Sequence, residues 1–495
     1  MELIYYFIDL RTNLSKQMTM VDYTLVAALS TLLGIWGLTS YKDSNLRISR
    51  PPFVPSTIPF VGQIAAYLGE PMEFVMECYK KYGSVFSFNI LTARFTVLVG
   101  QEASETFFKT HTKYLNASNA YKPVTNPIFG EEMGHAKFHQ QLISLKSILN
   151  IEKYREYTPI VEDQILYCLR KLEDKGQRDM YQFTMTVASL ESGASLFGPI
   201  LRKHFDESAV PLLSFLSHSL TPVGLVLPSW MIYPFFWKLR KVRKQIKERV
   251  NLAYEEKQKE IDSGNDIGDG LGHFMNYRYK NGEKMTKNEI LDILILLVAS
   301  AIHTTGIVST WALHYISQDE KWQDAIYNEQ KEVFGDELAP IEYDKLDQCT
   351  VLDRVVKETL RLRPPSVMLL RSCEIPVTVK GMTIPKGDIV CCAPYVNHRI
   401  ETWGDDREEF NPDRFLEYDM TKPNNCEYVP FGRGIHLCTG QQFGTLSLRM
   451  IVATMVRHFT FERPPNYNAT VDFSTIIPRP KNVHLIYERR PTSTL

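Results

Sequence analysis

The sequence has almost no excess of charge of either sign. Its 56 lysines and arginines nearly balance 57 aspartates and glutamates, so the formal net charge is −1. A protein that binds nucleic acid through a general basic field carries a clear excess of cations. We therefore expect no nucleic-acid partner.

Paired cysteines are also missing. Eight cysteines are spread over 495 residues, and none forms a CxxC pair. This pattern argues against a disulfide scaffold or a zinc cluster and favours a reducing compartment. With 44% hydrophobic and 23% charged residues, the composition is that of an ordinary globular protein of one large domain or several.

One stretch lacks charge altogether. Residues 23–41 read YTLVAALSTLLGIWGLTSY. As a helix they would be about 28 Å long, close to the hydrocarbon thickness of a bilayer. Lys42, Arg47 and Arg50 follow, and this positive charge places the C-terminal side in the cytosol. We expect a membrane anchor within residues 1–42, rather than a cleaved signal peptide or a buried core helix.

The next segment is rich in proline. Three prolines within residues 51–55 make a stiff spacer, so we assign residues 43–60 to a hinge and residues 61–495 to a catalytic domain. β-Branched and aromatic runs at 84–90 and 94–99 predict a small sheet. Prolines and glycines within residues 120–136 predict a loop.

A second segment has the composition of a membrane interface. Residues 226–237 read VLPSWMIYPFFW, and a basic cluster that includes Lys238, Arg240 and Lys241 follows. Aromatics beside cations are typical of helices at a bilayer surface. The start of a core-facing helix with a solvated basic face explains the pattern equally well.

A long apolar helix is predicted after residue 286. Thr286 and Glu289 form a capping box, and the apolar pattern runs without proline to about residue 317. Thirty residues give a helix of about 45 Å. His303 and Thr304 lie near its middle, where they are either satisfied core groups or parts of a polar site.

Glu358 and Arg361 lie three residues apart on another predicted helix, which two prolines end. Residues at this spacing share a helix face. Arg414 lies further along the chain in the run NPDRF.

A single cysteine, Cys438, lies in the glycine-rich run FGRGIHLCTG at residues 431–440. An apolar helix is predicted to follow, and a helix N-terminus stabilises a thiolate. Gly434 and Gly440 predict tight turns that leave room for a flat ligand, and His436 adds a donor. Taken alone, a buried cysteine in a turn is the simpler explanation.

Together these motifs resemble those of the cytochromes P-450. The pattern F-x-x-G-x-x-x-C-x-G at residues 431–440, the E-x-x-R at 358–361 and the polar pair in the long helix occur in that family's order, and the likeness covers about residues 50–490. The resemblance implies a mainly α fold with small β-sheets, in a single large domain behind a transmembrane helix. It also implies a haem-thiolate monooxygenase that binds haem b through Cys438, the axial iron ligand. NADPH–cytochrome P-450 reductase would supply electrons from NADPH.

The resemblance assigns roles to further residues. His303 and Thr304 would deliver protons during catalysis. The haem would be held by residues around the cysteine and by cations or donors for its propionates: Phe431, Gly434, Gly440 and His436, with Arg371, Lys146 and Tyr121. Glu358, Arg361 and Arg414 would lock the core behind the haem, so loss of one should prevent haem incorporation.

A narrower likeness is to the sterol 14α-demethylase (lanosterol 14α-demethylase) branch. In that branch a histidine precedes the threonine of the long helix, as in His303–Thr304, and a tryptophan follows as Trp311 does. The branch's substrate loop matches residues 121–130. The resemblance to this branch implies six substrate-binding residues: Tyr121, Val124, Phe129, Met133, His135 and Ala301. Of these, Val124, Met133, His135 and Ala301 depart from the branch's usual residues.

This branch removes the sterol 14α-methyl group in three successive oxidations, to alcohol, aldehyde and formate. The resemblance therefore implies a sterol substrate, contact with membrane lipid, and a single-pass location in the endoplasmic reticulum with the catalytic domain in the cytosol. A P-450 that oxidises another sterol or lipid, or a haem-binding protein without turnover, is the alternative.

Overall fold

The structure is a computed structural model that describes residues 49–56, 62–91, 93–129, 136–219, 221–225, 233–265, 268–420, 422, 425–493 and 495. The anchor predicted at 23–41 lies outside the described residues, as do most of the predicted hinge and residues 226–232 of the aromatic segment.

The described residues are mainly helical. Their α-helices are α1 (Ile64–Gly69), α2 (Pro71–Tyr82), α3 (Gln101–Lys109), α4 (Ala117–Phe129), α5 (Ala136–Ser144), α6 (Ile151–Leu169), α7 (Met180–His204), α8 (Val210–His218), α9 (Tyr233–Asp262), α10 (Gly270–Asn276), α11 (Lys287–Ile316), α12 (Glu320–Phe334), α13 (Thr350–Leu362), α14 (Pro394–Asn397) and α15 (Gln441–His458).

The strands are short. They are β1 (Val85–Ile90), β2 (Ala93–Leu98), β3 (Leu115–Asn116), β4 (Lys175–Asp179), β5 (Leu369–Cys373), β6 (Val377–Val379), β7 (Met382–Ile384), β8 (Ile389–Cys392), β9 (Phe459–Glu462), β10 (Thr470–Asp472), β11 (Arg479–Lys481) and β12 (His484–Arg489). They form a five-stranded sheet in the order β1-β2-β8-β5-β3, a three-stranded sheet β4-β12-β9, and the pairs β6-β7 and β10-β11. The small sheet predicted at residues 84–99 is the antiparallel pair β1-β2, with Val85 opposite Leu98.

Helix α11 is the long helix that the capping box predicted. The Thr286 hydroxyl accepts a hydrogen bond from the Glu289 N–H, and the Glu289 carboxylate accepts one from the Thr286 N–H at 2.7 Å. The helix is long and apolar enough to cross a bilayer, but 72% of its most apolar window is buried inside the protein. The helix therefore lies in the core of the domain.

Helices α7 and α11 pack closely along much of their length. A Cβ at Gly306 would lie 2.6 Å from the sulfur and 3.1 Å from the Cα of Met185, so a larger residue there would force Met185 to shift. The Thr184 hydroxyl donates to the Gly306 carbonyl at 2.9 Å across the same contact. This packing fixes the position of the middle of α11.

The prediction of a loop from residue 120 is wrong for residues 120–129, which belong to α4. Ala117, Ala120, Tyr121 and Val124 have the spacing of one helix face, and α4 packs against β5. Pro123 lies on the exposed side. Tertiary packing of the apolar face thus outweighs the prolines that predicted a loop.

The described part of the predicted hinge is attached to the domain. The Val54 N–H donates to the Ser87 carbonyl, and the Ser87 N–H donates to the Pro52 carbonyl, both at 2.8 Å. Val54 is buried against the core beside β1. Residues 52–54 therefore pair with the sheet.

Candidate active site

Cys438 lies in a loop between a short 3-10 turn, Gly434–His436, and the start of α15. Its N–H donates to the Phe431 carbonyl at 2.9 Å, which closes the loop. Gly434 has a φ of +69°, and a Cβ there would lie 2.8 Å from the Phe108 carbonyl oxygen. Gly440 has a φ of −88°, which any residue adopts, and the second left-handed glycine is Gly432. The tight turns are therefore at 432 and 434.

Cys438 differs from the other seven cysteines because it is exposed, whereas they are buried. Its surface opens into a cavity. Desolvation by the surrounding protein raises the pKa of its thiol, while the N–H of Gly440 acts in the opposite direction. The helix N-terminus alone thus does not favour the thiolate, but a coordinated metal cation would deprotonate the thiol.

The cavity beside Cys438 has a volume of about 340 Å³. Six of the residues predicted for the site line it, and they come from β5, α4, α11 and the cysteine loop: Arg371, Tyr121, Thr304, Phe431, His436 and Cys438. The fold brings together residues that are up to 317 positions apart in the sequence.

Thr304 and His303 do not face the same space. The Thr304 side chain lines the cavity, and its hydroxyl donates to the Ser300 carbonyl at 2.8 Å. His303 is 1% exposed and its ring lies edge-to-face with that of His218, 5.6 Å between centroids. Neither ring nitrogen of His303 has a hydrogen-bond partner in the described structure, and burial lowers its pKa to about 3. The imidazole is therefore neutral.

Arg371 is a buried cation at the edge of the cavity. It is 2% exposed, it donates to the carbonyls of Phe107 and Thr110, and its guanidinium lies 4.3 Å from the centre of the Phe107 ring. Burial lowers its pKa to about 10, so it stays charged at neutral pH. No carboxylate of the described residues pairs with it. A buried charge of this kind calls for an anion.

Tyr121 lies beside this cation. Its hydroxyl oxygen accepts a hydrogen bond from the Leu370 N–H at 3.1 Å. Burial raises the pKa of Tyr121 to about 12, so its hydroxyl keeps its proton and remains a donor for a group in the cavity.

Other predicted residues lie away from the cavity. Lys146 is exposed on the 3-10 turn Leu145–Ser147. Val124 is buried and packs against Gly224. Ala301 is partly buried against the main core. None of these three lines the cavity as described.

Residues 130–135 are not described, so Met133 and His135 lie outside the described structure. Phe129 is the last residue of α4, and its side chain likewise lies outside the described structure.

Several lining residues had no signal in the sequence. They are mostly apolar and come from α3, the start of α4, β5 with the turn before it, and the cysteine loop: Phe107, Phe108, Ala117, Pro365, Ser366, Leu369, Leu370, Pro430 and Gly432. Leu369 and Leu370 precede Arg371 on β5, so the prediction of Arg371 as a site residue already indicated their region of the chain. The Phe107–Phe108 pair lies on a nine-residue helix whose position depends on packing against the cysteine loop.

Glu358, Arg361 and Arg414, which were predicted to lock the core behind the haem, lie together. Arg361 donates to both carboxylate oxygens of Glu358 at 2.7 and 2.8 Å, and Arg414 donates to one of them at 3.1 Å. Glu358 and Arg361 are fully buried. Arg361 also donates to the carbonyls of residues 398, 407 and 409. The Glu358–Arg361 pair thus connects α13 to residues 398–409, which precede the cysteine loop.

The chemistry of the cavity fits a flat, anionic metal cofactor. It holds an exposed thiol at Cys438, a helix hydroxyl at Thr304 and a buried cation at Arg371, between apolar side chains. Thiolate, apolar walls and a cation for a carboxylate are what a haem with an axial cysteine requires. A mainly helical fold with such a site defines the haem-thiolate class.

The chain belongs to the cytochrome P-450 family, whose model matches residues 51–485. The lanosterol 14-alpha demethylases of Bos taurus and Mus musculus are 34% and 35% identical to it over 444 residues, which cover 89% of this chain and 88% of each relative. The lanosterol 14-alpha demethylase of Candida tropicalis is 28% identical over 488 residues, 90% of this chain and 92% of the relative.

Proposed function

We propose that the protein is a sterol 14α-demethylase that uses haem b and oxidises a membrane-dissolved sterol precursor. The observation that carries the proposal is one cavity that joins the Cys438 thiol, the Thr304 hydroxyl and the Arg371 cation. The similarity to lanosterol demethylases over most of the chain supports the sterol as substrate.

Cys438 would hold the haem iron, and Arg371, Tyr121 and His436 would bind the haem's carboxylates. Lys146 is exposed and away from the cavity, so we leave it out of this set. When bound, the haem supplies the activation of dioxygen, with electrons passed from NADPH by NADPH–cytochrome P-450 reductase. Glu358, Arg361 and Arg414 would stabilise the core that supports the cysteine loop.

Thr304 would hold and move protons at its hydroxyl. That hydroxyl donates to the Ser300 carbonyl, and rotation about one bond would free its proton for a ligand in the cavity. His303 would join such a relay only after its ring turned away from His218, because its neutral imidazole now faces that residue.

The apolar lining would orient the substrate and exclude water. Phe107, Phe108 and Leu369 would pack against the haem. The neighbouring apolar cleft, which shares Leu370 and includes Met368 and Phe473, would enclose the hydrocarbon skeleton of the sterol. In each of three oxidations one O₂ and two electrons would be consumed. The 14α-methyl carbon would pass through alcohol and aldehyde and leave as formate, with a new double bond in the sterol.

The proposed enzyme is anchored in the endoplasmic reticulum by a single span at about residues 23–41. Residues 43–60, of which 52–54 pair with the sheet, would link the span to the cytosolic catalytic domain at residues 61–495. The span rests on the charge-free sequence and the cations that follow it.

The test is reconstitution of the full chain with its reductase and NADPH. We expect a red-shifted Soret band for the reduced protein under carbon monoxide, and formate release from lanosterol, eburicol or obtusifoliol. Cys438→Ala should abolish both, whereas Cys426→Ala, at a buried cysteine, should retain them. A globin-like spectrum would remove Cys438 as ligand. A thiolate spectrum without formate from any of the three sterols would indicate a P-450 for another sterol or lipid.

A further inference from the structure

A basic groove lies between helix α9 and the first turn of α11. It has a volume of about 730 Å³, and its lining includes five cations: Arg240, Arg243, Lys244, Lys247 and Lys287. Among the described residues, ion pairs set Asp292 against Arg243 and Lys247, Glu248 against Lys244, and Glu255 against Lys287 at 3.3 Å. The chain as a whole carries a net charge of −1, so this is a local concentration of positive charge.

The ion pairs of the described residues set three carboxylates against the five cations of the groove. Asp292 is 7% exposed, and one of its oxygens is shared by Arg243 at 2.8 Å and Lys247 at 3.5 Å. The Lys244–Glu248 pair is 4.0 Å apart with both side chains largely in solvent, so its attraction is weak. The capping box of α11 closes that helix's N-terminus. The attraction for an anion therefore comes from the side chains.

An exposed aromatic continues the same helix face. Trp237 is 70% exposed, and Trp237, Arg240, Lys244 and Lys247 have the spacing of one face of α9. Tryptophan prefers the boundary between lipid headgroups and hydrocarbon, and cations next to it attract anionic headgroups.

We propose that the basic groove binds the headgroup of a membrane phospholipid that carries several phosphates, with Trp237 at the lipid boundary. Four α9 cations and Lys287 surround the space from two helices, an arrangement suited to a multivalent anion. The proposal rests on the membrane attachment proposed above, and it adds a headgroup preference to that attachment.

The experiment uses the full-length holoenzyme in neutral detergent, so that the anchor does not mask the groove. Short-chain dioctanoyl phosphatidylinositol bisphosphate is titrated and binding is followed by thermophoresis. The triple variant Arg240→Gln, Lys244→Gln, Lys247→Gln should bind about tenfold or more weakly than the unaltered protein. The matched variant Lys241→Gln, Lys259→Gln, Lys284→Gln removes three exposed charges outside the groove and should bind as the unaltered protein does.

Three results would overturn the proposal. Equal loss of lipid binding in both triple variants would mean attraction by non-specific charge. Equal affinity of the unaltered protein for inositol trisphosphate alone would mean a soluble polyphosphate site. Unchanged lipid binding with slower electron transfer from the reductase, in the variant at 240, 244 and 247, would mean a protein-docking face. The reduced carbon monoxide spectrum is recorded for every sample. It reports on the proposed catalytic site independently of lipid binding.

Discussion

At the scale of single residues, the charge on Arg371 is the feature of the cavity that most needs a ligand. Its guanidinium is buried against two carbonyls and an aromatic ring, without a carboxylate partner among the described residues. A carboxylate of a bound cofactor would supply the missing charge. Lys146, the other lysine or arginine predicted for this role, is exposed elsewhere on the surface.

We therefore predict that Arg371→Gln weakens haem binding at least tenfold, because a hydrogen bond to a charged group contributes about 1.5–3 kcal/mol. Lys146→Gln should leave haem content unchanged. The measurement is haem per protein after titration of the haem-free chain, with circular dichroism as the check on folding. Arg371→Lys keeps the charge and should recover part of the affinity. Equal haem retention in the Gln variants at 371 and 146 would refute the assignment.

His303 and Thr304 show what sequence adjacency leaves undetermined. Consecutive residues on a helix point about 100° apart, so a polar pair in an apolar helix cannot have both members aimed at one point. The sequence predicted the helix and its cap, and the structure agrees. Which of the two residues faces the cavity depends on the rotation of α11 against α7 and α8, and that rotation is set by long-range packing such as the Gly306–Met185 contact.

At the scale of elements, the boundary between α7 and α15 contains an ionisable group that the proposed chemistry does not use. Glu191 on α7 is fully buried, and one carboxylate oxygen has no hydrogen-bond partner in the described structure. Burial raises its pKa to about 8, against the opposing effect of the Ser192 and Ser447 hydroxyls. The helix pair that supports the cysteine loop is thus built around a neutral carboxylic acid.

This arrangement predicts a pH-dependent stability. Below about pH 4.5 both the folded and unfolded states hold the proton; between there and about pH 8 only the folded state does, so stability falls as pH rises. Glu191→Gln cannot ionise, so its melting temperature relative to the unaltered protein should rise from about pH 5 to about pH 8 and then level off. Thermal unfolding by far-UV circular dichroism measures the difference. The exposed Glu173→Gln is the control and should follow the unaltered protein. A pH-independent difference for Glu191→Gln would contradict the buried acid.

Helices α11 and α4 mark what local pattern predicts well and where it fails. α11 has a cap, a long apolar run and no proline, so each local preference agrees with the fold. α4 contains prolines, and its apolar face becomes stabilising only when β5 packs against it. The predicted sheet at β1-β2 needed only local pairing, whereas the cavity-lining pair on α3 needed contacts from distant parts of the chain.

At the scale of the whole molecule, hydropathy alone does not separate a core helix from a membrane span. α11 passes the test of length and apolarity, yet it lies mostly inside the domain. Residues 23–41 have a similar composition, but Lys42, Arg47 and Arg50 follow them. The anchor remains a prediction of the sequence.

Two truncations test how the anchor is joined to the domain. Without residues 1–42, the protein should keep the thiolate–haem spectrum but no longer resist extraction from membranes by alkaline carbonate, which also strips proteins held only by headgroup contacts. Without residues 1–56, the Val54–Ser87 pairing and the burial of Val54 are lost as well. Stability should then fall by a further amount of about 2–4 kcal/mol, measured by denaturant unfolding. If the protein without residues 1–42 still resists carbonate extraction, the attachment lies within the rest of the chain. If the two truncated proteins are equally stable, residues 52–54 do not contribute to the stability of the fold.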